Sequence, residues 1–210
     1  MSLSINCSTQ APKAPPSLRA ADRRPLRPKV LLLGGTLVPN STTEKALRIV
    51  AAEIEKRDAQ VTVFTGPELD LPFYCHGSDR SRNALRLVEA MRAADSLVIG
   101  SPAYHGGVSG LIKNALDYAE DLRTDDRAYF TGRAVGCIGL GGGWQGAIAA
   151  LNALRSTVHA LRGWPTPFGV AINASLRPFD NDGVCTDLKL SAELVTLAEQ
   201  VTSFPAFQLR

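Results

Sequence analysis

The sequence predicts a single α/β domain, a doubly wound three-layer sandwich with a five-stranded parallel sheet between two layers of helices. Three observations predict it. From Lys29 onward, short aliphatic and β-branched runs alternate with segments of helical period. The first run, Val30 to Leu33, is apolar at every position rather than at alternate ones, as a strand covered on both faces requires. And 210 residues with 45% hydrophobic and 20% charged side chains suit one core of ordinary composition.

The elements follow in order. Strands are expected at Val30 to Leu33, Val61 to Phe64, Ser96 to Gly100, Ala134 to Leu140 and Gly169 to Ile172, each short and bounded by Gly, Pro or a charged residue. Helices are expected at Thr42 to Lys56, Ser81 to Ala93, Val108 to Asp121, Trp144 to Leu161 and Asp187 to Val201. In the fourth helix, Ala147, Ile148, Leu151, Leu154, Val158 and Leu161 keep one stripe apolar. Strictly alternating strands and helices with right-handed crossovers give the doubly wound arrangement. Its ligands bind at the carboxyl ends of strands where the strand order reverses. The loops after the first, third and fourth strands are therefore where function is sought.

Residues 1–28 are rich in Ser, Pro, Ala and Arg without apolar periodicity, and read as a disordered basic arm preceding a domain of residues 29–210. Six basic residues against Asp22 give residues 1–29 a charge of +5, which leaves −2 of the total +3 for the rest. The basic character belongs to the arm, so no nucleic-acid-binding face is expected on the domain. Cys7, Cys75, Cys137 and Cys185 lie far apart without a CxxC pair, so neither a metal site nor a disulfide framework is expected, and a reducing cytoplasm is the default location. No apolar run approaches the ~18 to 20 residues of a bilayer helix, so no membrane span is expected.

The first loop, Gly34 to Glu44, places Thr36, Asn40, Ser41, Thr42 and Thr43 beside the free amides of a helix start, a combination that suits a phosphate dianion without a lysine. The same residues read equally as a helix cap, because Ser41 with Glu44 spells a capping box. The GxxxxGK[ST] pattern of nucleoside triphosphatases is absent. In the second loop, Pro102, Ala103, Tyr104, His105, Gly106 and Gly107 follow a buried strand. Pro102 is expected to turn the chain there, and the glycines would let the backbone approach a flat ligand. Lys113 and Asp117, four apart on the next helix, read as a surface pair.

The third loop contains a literal GxGxxG at Gly141, Gly143 and Gly146. A dinucleotide fingerprint of this kind needs an acidic residue about 20 positions on to hold a ribose, and belongs to the first strand of its unit. Here no acidic residue lies between Asp126 and Asp180, and the loop follows the fourth strand. Gly141, Gly142 and Gly143 are therefore read as a backbone-amide lip over a ligand edge.

The segment Gly100 to Asp117, GSPAYHGGVSGLIKNALD, resembles the hallmark of the NAD(P)H-dependent FMN reductase family, flavodoxin-like proteins that include flavin, quinone, azo-dye and chromate reductases. The resemblance extends from the first loop to Phe179–Gly183, over roughly residues 29–205. It implies a strand order of 2-1-3-4-5 and FMN as cofactor with NAD(P)H as co-substrate. By the same resemblance Thr36 to Thr43 would hold the phosphate, Pro102 to Gly106 the ring and ribityl chain, and Gly141 to Gly143 with Trp144 the other side of the ring. Tyr104, His105 and Trp144 would shape the open face, and no protein acid or base is assigned to hydride transfer. A small-molecule electron acceptor and a homodimer or homotetramer are also implied. One departure stands out: relatives often carry an arginine in the first loop, where this chain has Leu37, Val38 and Pro39. Losing a charge-assisted contact costs roughly 1.5 to 3 kcal/mol, which predicts weaker FMN binding. A specialised flavoenzyme of a biosynthetic pathway and a non-enzymatic flavodoxin-type carrier are the alternatives. Carriers usually have a strongly acidic face, which a domain charge of −2 does not supply.

Overall fold

The computed structural model describes residues 27–208. Of the expected arm only Arg27 and Pro28 fall within this range, so that expectation otherwise lies outside the described residues.

Seven strands form one sheet: β1 (Lys29–Gly34), β2 (Gln60–Phe64), β3 (Ser96–Tyr104), β4 (Gly107–Val108), β5 (Ala134–Gly141), β6 (Trp164–Pro165) and β7 (Val170–Asn173). Their order is β2-β1-β3-β5, with β6 and β7 both pairing along β5 and β4 pairing with the end of β3. Every pairing is parallel except β3 with β4. The expected 2-1-3-4-5 order is thus present in β2-β1-β3-β5-β7, and the two-residue strands β4 and β6 are additions too short to be seen as periodicity.

The continuous apolar strands are explained by their two faces. Val30, Leu32, Val98 and Ile138 point to one side, against α1 (Thr42–Glu55) and α5 (Leu188–Gln208). Leu31, Leu33, Leu97, Ile99, Val135 and Cys137 point to the other, against α2 (Arg82–Ala93), α3 (Gly110–Asp117) and α4 (Trp144–Ala160). Since successive strand residues alternate sides, a strand serving two cores must be apolar throughout. On α1 the buried residues Thr43, Ala46, Leu47, Val50 and Ile54 recur at helical spacing.

Three expectations about boundaries are corrected. Pro102 does not turn the chain: β3 runs on to Tyr104, with Pro102 opposite Leu140 of β5. β1 has already ended where Gly34 pairs with Gly100, so a missing N–H on that side leaves no ladder bond unmade. α3 begins at Gly110, because Ser109 caps it and Val108 belongs to β4, and it relaxes into a 3-10 turn over Tyr118–Leu122. On α4, Ile148 is exposed and the buried stripe is Ala147, Ala150, Leu154 and Val158.

Candidate active site

The carboxyl ends of β1, β3, β5 and β7 converge on a cleft of about 270 Å³. Its wall is formed by Thr36, Ser41, Thr42, Thr43, Pro102, Ala103, Tyr104, Leu140, Gly141, Gly142 and Ala174. Nine of these eleven are residues singled out from the sequence. Leu140 and Ala174 were not: Leu140 is the inward residue at the end of β5, and Ala174 opens the 3-10 turn after β7, a strand end outside the three loops sought.

Local chemistry places each part. Thr36 Oγ1 accepts from the Val38 amide at 3.1 Å and bends the first loop. Ser41 Oγ accepts from the Glu44 amide at 3.3 Å, capping α1. The reciprocal half of the capping box is shifted by one residue, since Glu44 Oε2 accepts from the Asn40 amide at 2.8 Å. Asn40 has φ 53°, in the left-handed region asparagine tolerates. Its Oδ1 accepts from Arg48, which also pairs with Glu44. A guanidinium therefore does lie beside the first loop, supplied from the second turn of α1. Thr43 is buried, and its methyl group packs over Gly100.

Past Tyr104 the chain reverses through His105 and Gly106, at φ 50° and 84°. Positive φ at both central residues is what a two-residue type I′ hairpin turn requires, and it returns Gly107 opposite Tyr104. Tyr104 is 59% exposed at the cleft rim. His105 and Gly106 form the exposed hairpin tip rather than the cleft wall, and Asn40 lies outside it on the loop surface. Gly143 serves as the N-cap of α4, and Trp144, 53% exposed, lines a separate neighbouring cavity of about 350 Å³.

Side chains of Ser41, Ser81, Ser109 and Asp187 cap α1, α2, α3 and α5, whereas α4 opens on Gly143 with no side-chain cap. Its first-turn amides thus remain available beside the cleft. The glycines of this loop divide by role. A Cβ on Gly141 would fall 2.6 Å from the Ala147 amide nitrogen, so Gly141 is needed for close packing of α4 on β5. A Cβ on Gly142 or Gly143 would meet nothing within 4 Å. The lip expected there has open space in front of it.

The wall carries no carboxylate, imidazole or ammonium group, and Tyr104 is its only ionisable side chain. The Lys113–Asp117 pair expected at the surface is present on α3, outside the wall. Among the described residues no cluster of His, Cys, Asp or Glu could hold a metal, and no helix is long and apolar enough to cross a membrane.

Residues 28–176 match the family described as NADPH-dependent FMN reductase. The chain belongs to that family. It is 30% identical over 184 residues, 84% of this chain and 94% of the relative, to an FMN-dependent NADPH-azoreductase of Staphylococcus aureus. Membership makes it a flavoprotein oxidoreductase for which FMN, with NAD(P)H as co-substrate, is the implied cofactor. Two solved structures share its fold. A flavoenzyme NAD(P)H:(acceptor) oxidoreductase, FerB, from Paracoccus denitrificans superimposes with a TM-score of 0.70 at 22% identity, over 84% of this chain and 98% of that one. The apo form of an NADH:FMN oxidoreductase gives 0.63 at 21% identity, over 85% and 92%.

Proposed function

We propose that the cleft holds FMN, and that the protein uses NAD(P)H to reduce it and passes the electrons to a small acceptor such as a quinone, a dye, a metal oxyanion or free flavin. The observation that carries this reading is the make-up of the wall. Hydroxyls and helix-start amides lie at one end, a glycine lip with open space at the other, and there is no carboxylate, imidazole or amine between them. Such a wall binds and orients but has little reactivity of its own, which is what a cofactor enzyme asks of its protein.

FMN held there would supply the two-electron redox chemistry between NAD(P)H and the acceptor. The chain supplies the placement. The first-turn amides of α1, with the hydroxyls of Thr36, Ser41, Thr42 and Thr43, offer donors to the phosphate. Pro102, Ala103 and Tyr104 would form one side for the ring and Gly141 and Gly142 the other, with Gly143 just beyond the wall at the start of α4. His105, Gly106 and Trp144 lie outside this wall, at the hairpin tip and in the neighbouring cavity, where a second ligand over the ring would meet them. Asn40 holds the first loop in shape through Glu44 and Arg48. By the resemblance the protein is taken as a homodimer or homotetramer, and by its scattered cysteines as cytoplasmic, which its mass in solution and the location of a tagged chain would check.

The test is an anaerobic titration of the purified protein with FMN, followed by NADPH. Saturable binding and loss of the oxidised flavin band on adding NADPH are expected. Rates of NADPH oxidation with a quinone, an azo dye or free FMN then rank the acceptors. An absence of FMN binding would overturn the assignment.

A further inference from the structure

The first loop and the end of β3 are tied together through the buried Ser109, whose hydroxyl bonds the first loop and whose amide bonds Ser101. Ser109 is 3% exposed. Its Oγ donates to the carbonyl of Gly35 at 3.1 Å and accepts from the Ile112 amide at 3.2 Å, and its amide donates to Ser101 Oγ at 2.9 Å. Gly35 in turn donates to the Gly100 carbonyl at 2.9 Å. A Cβ at Gly35 would lie 2.3 Å from Ile112 Cγ1 and 2.9 Å from Ser109 Oγ, so the chain leaves β1 pressed against the start of α3. Gly35 immediately precedes Thr36, the first residue of the cleft's hydroxyl end. Ser101 immediately precedes Pro102, the first residue of the strand end that forms one side for the ring.

We propose that Ser109, which touches neither cleft end, is a positioning residue for FMN: it sets the separation between the loop that takes the phosphate and the strand end that takes the ring. The inference rests on the FMN reading above. A ligand that spans both ends binds fully only when their spacing matches its own length, and a loose supporting contact is enough to lose that match. Riboflavin has the ring and ribityl chain without the phosphate, so it senses only one of the two ends.

The experiment measures FMN and riboflavin affinities of the full chain and of Ser109→Ala, Ser109→Gly and Ser109→Thr, with a thermal melt of each. Glycine is well tolerated as a helix N-cap, so Ser109→Gly removes the hydroxyl while sparing α3 if alanine disturbs the fold. Threonine keeps the hydroxyl. Expected are a roughly tenfold loss of FMN affinity in the alanine and glycine variants, riboflavin affinity within about twofold of the parent, and recovery of most FMN affinity with threonine. If the parent binds FMN and the variants weaken both flavins in parallel, or neither, Ser109 does not position the cofactor. A parent that binds no FMN would overturn the functional reading itself, and this inference with it.

Discussion

Replacing Gly141 by alanine should destabilise the protein, and the same change one residue later should not. A Cβ at Gly141 would lie 2.6 Å from the Ala147 nitrogen, 2.9 Å from the Gly143 oxygen and 3.0 Å from the Gly146 carbonyl carbon. All three are backbone atoms, so no side chain can swing aside. Contacts between carbon and heavy atoms settle near 3.5 to 4.0 Å, so the start of α4 must retreat from β5 by about 1 Å. Overpacking of this kind costs roughly 1 to 3 kcal/mol. At this chain length each kcal/mol lowers the melting temperature by about 2 to 4 °C, so a fall of ~2 to 12 °C is expected. At Gly142 the added methyl meets nothing within 4 Å, and the change should stay within about 0.5 kcal/mol. The assay is thermal unfolding without flavin, since bound ligand would add its own stabilisation. A Gly141→Ala variant that melts with the parent, or a Gly142→Ala variant that melts below it, would refute the division of roles.

Other expectations follow from the same geometry. Tyr104→Ala should leave the melting temperature within about 2 °C, because the ring is 59% exposed, while lowering flavin affinity or reductase turnover; an unchanged rate and affinity would remove Tyr104 from the site. Asp121 accepts two bonds from Arg80, at 2.7 and 2.8 Å, and the guanidinium holds its carboxyl below the usual carboxylate range despite partial burial. Its folded value being depressed, the stabilisation is present above the ordinary carboxylate pKa and is lost as pH falls through and below it. Melting curves from neutral to acid pH should therefore show a steeper acid loss for the parent than for Asp121→Asn, which at neutral pH should be less stable by about 2 kcal/mol; parallel pH profiles would count against this. Cys75 is exposed, whereas burial pushes the Cys137 thiol up to about 12. Under native conditions a thiol reagent followed by peptide mass analysis should label Cys75 and spare Cys137.

How far the sequence disclosed this fold depended on whether its signals were local. Val30 to Leu33, Ser96 to Gly100 and Ala134 to Leu140 were legible because a strand serving two cores is apolar at every position. The end of β3 was not, because Pro102 is read as a breaker unless the neighbouring strand is known to have stopped at Gly34. β4 and β6 are two residues each, below any period. Ile148 fits an apolar stripe on a helix wheel, yet it is exposed, because α4 lies on the sheet through Ala147, Ala150, Leu154 and Val158 and leaves Ile148 lining the cavity it shares with Trp144, a fact of tertiary placement.

The site was legible where residue type states the chemistry, in the hydroxyls of the first loop and the glycines of the third, and illegible where space decides. The GxGxxG string is the sharpest case. Its first glycine is demanded by packing, as is Gly139, whose Cβ would fall 2.2 Å from the Ala147 oxygen, outside the string altogether. The pattern thus mixes Gly141, required by helix–strand contact, with Gly143, which faces open space, and Gly146, whose Cβ would lie 3.4 Å from that of Ala103, and motif matching cannot separate them. The missing arginine of the first loop is the converse. Helical side chains lean toward the N-terminus of their helix, so a long side chain in the second turn covers the loop that precedes the first. Arg48 does so, reaching Asn40 eight residues back. It arrives already engaged with Glu44, and the two charges largely offset one another beside the loop. The guanidinium is therefore present without supplying the free charge that a loop arginine would. Any anion bound there depends chiefly on the α1 amides and hydroxyls, which is why the departure from the family pattern keeps its energetic consequence although an arginine is close at hand.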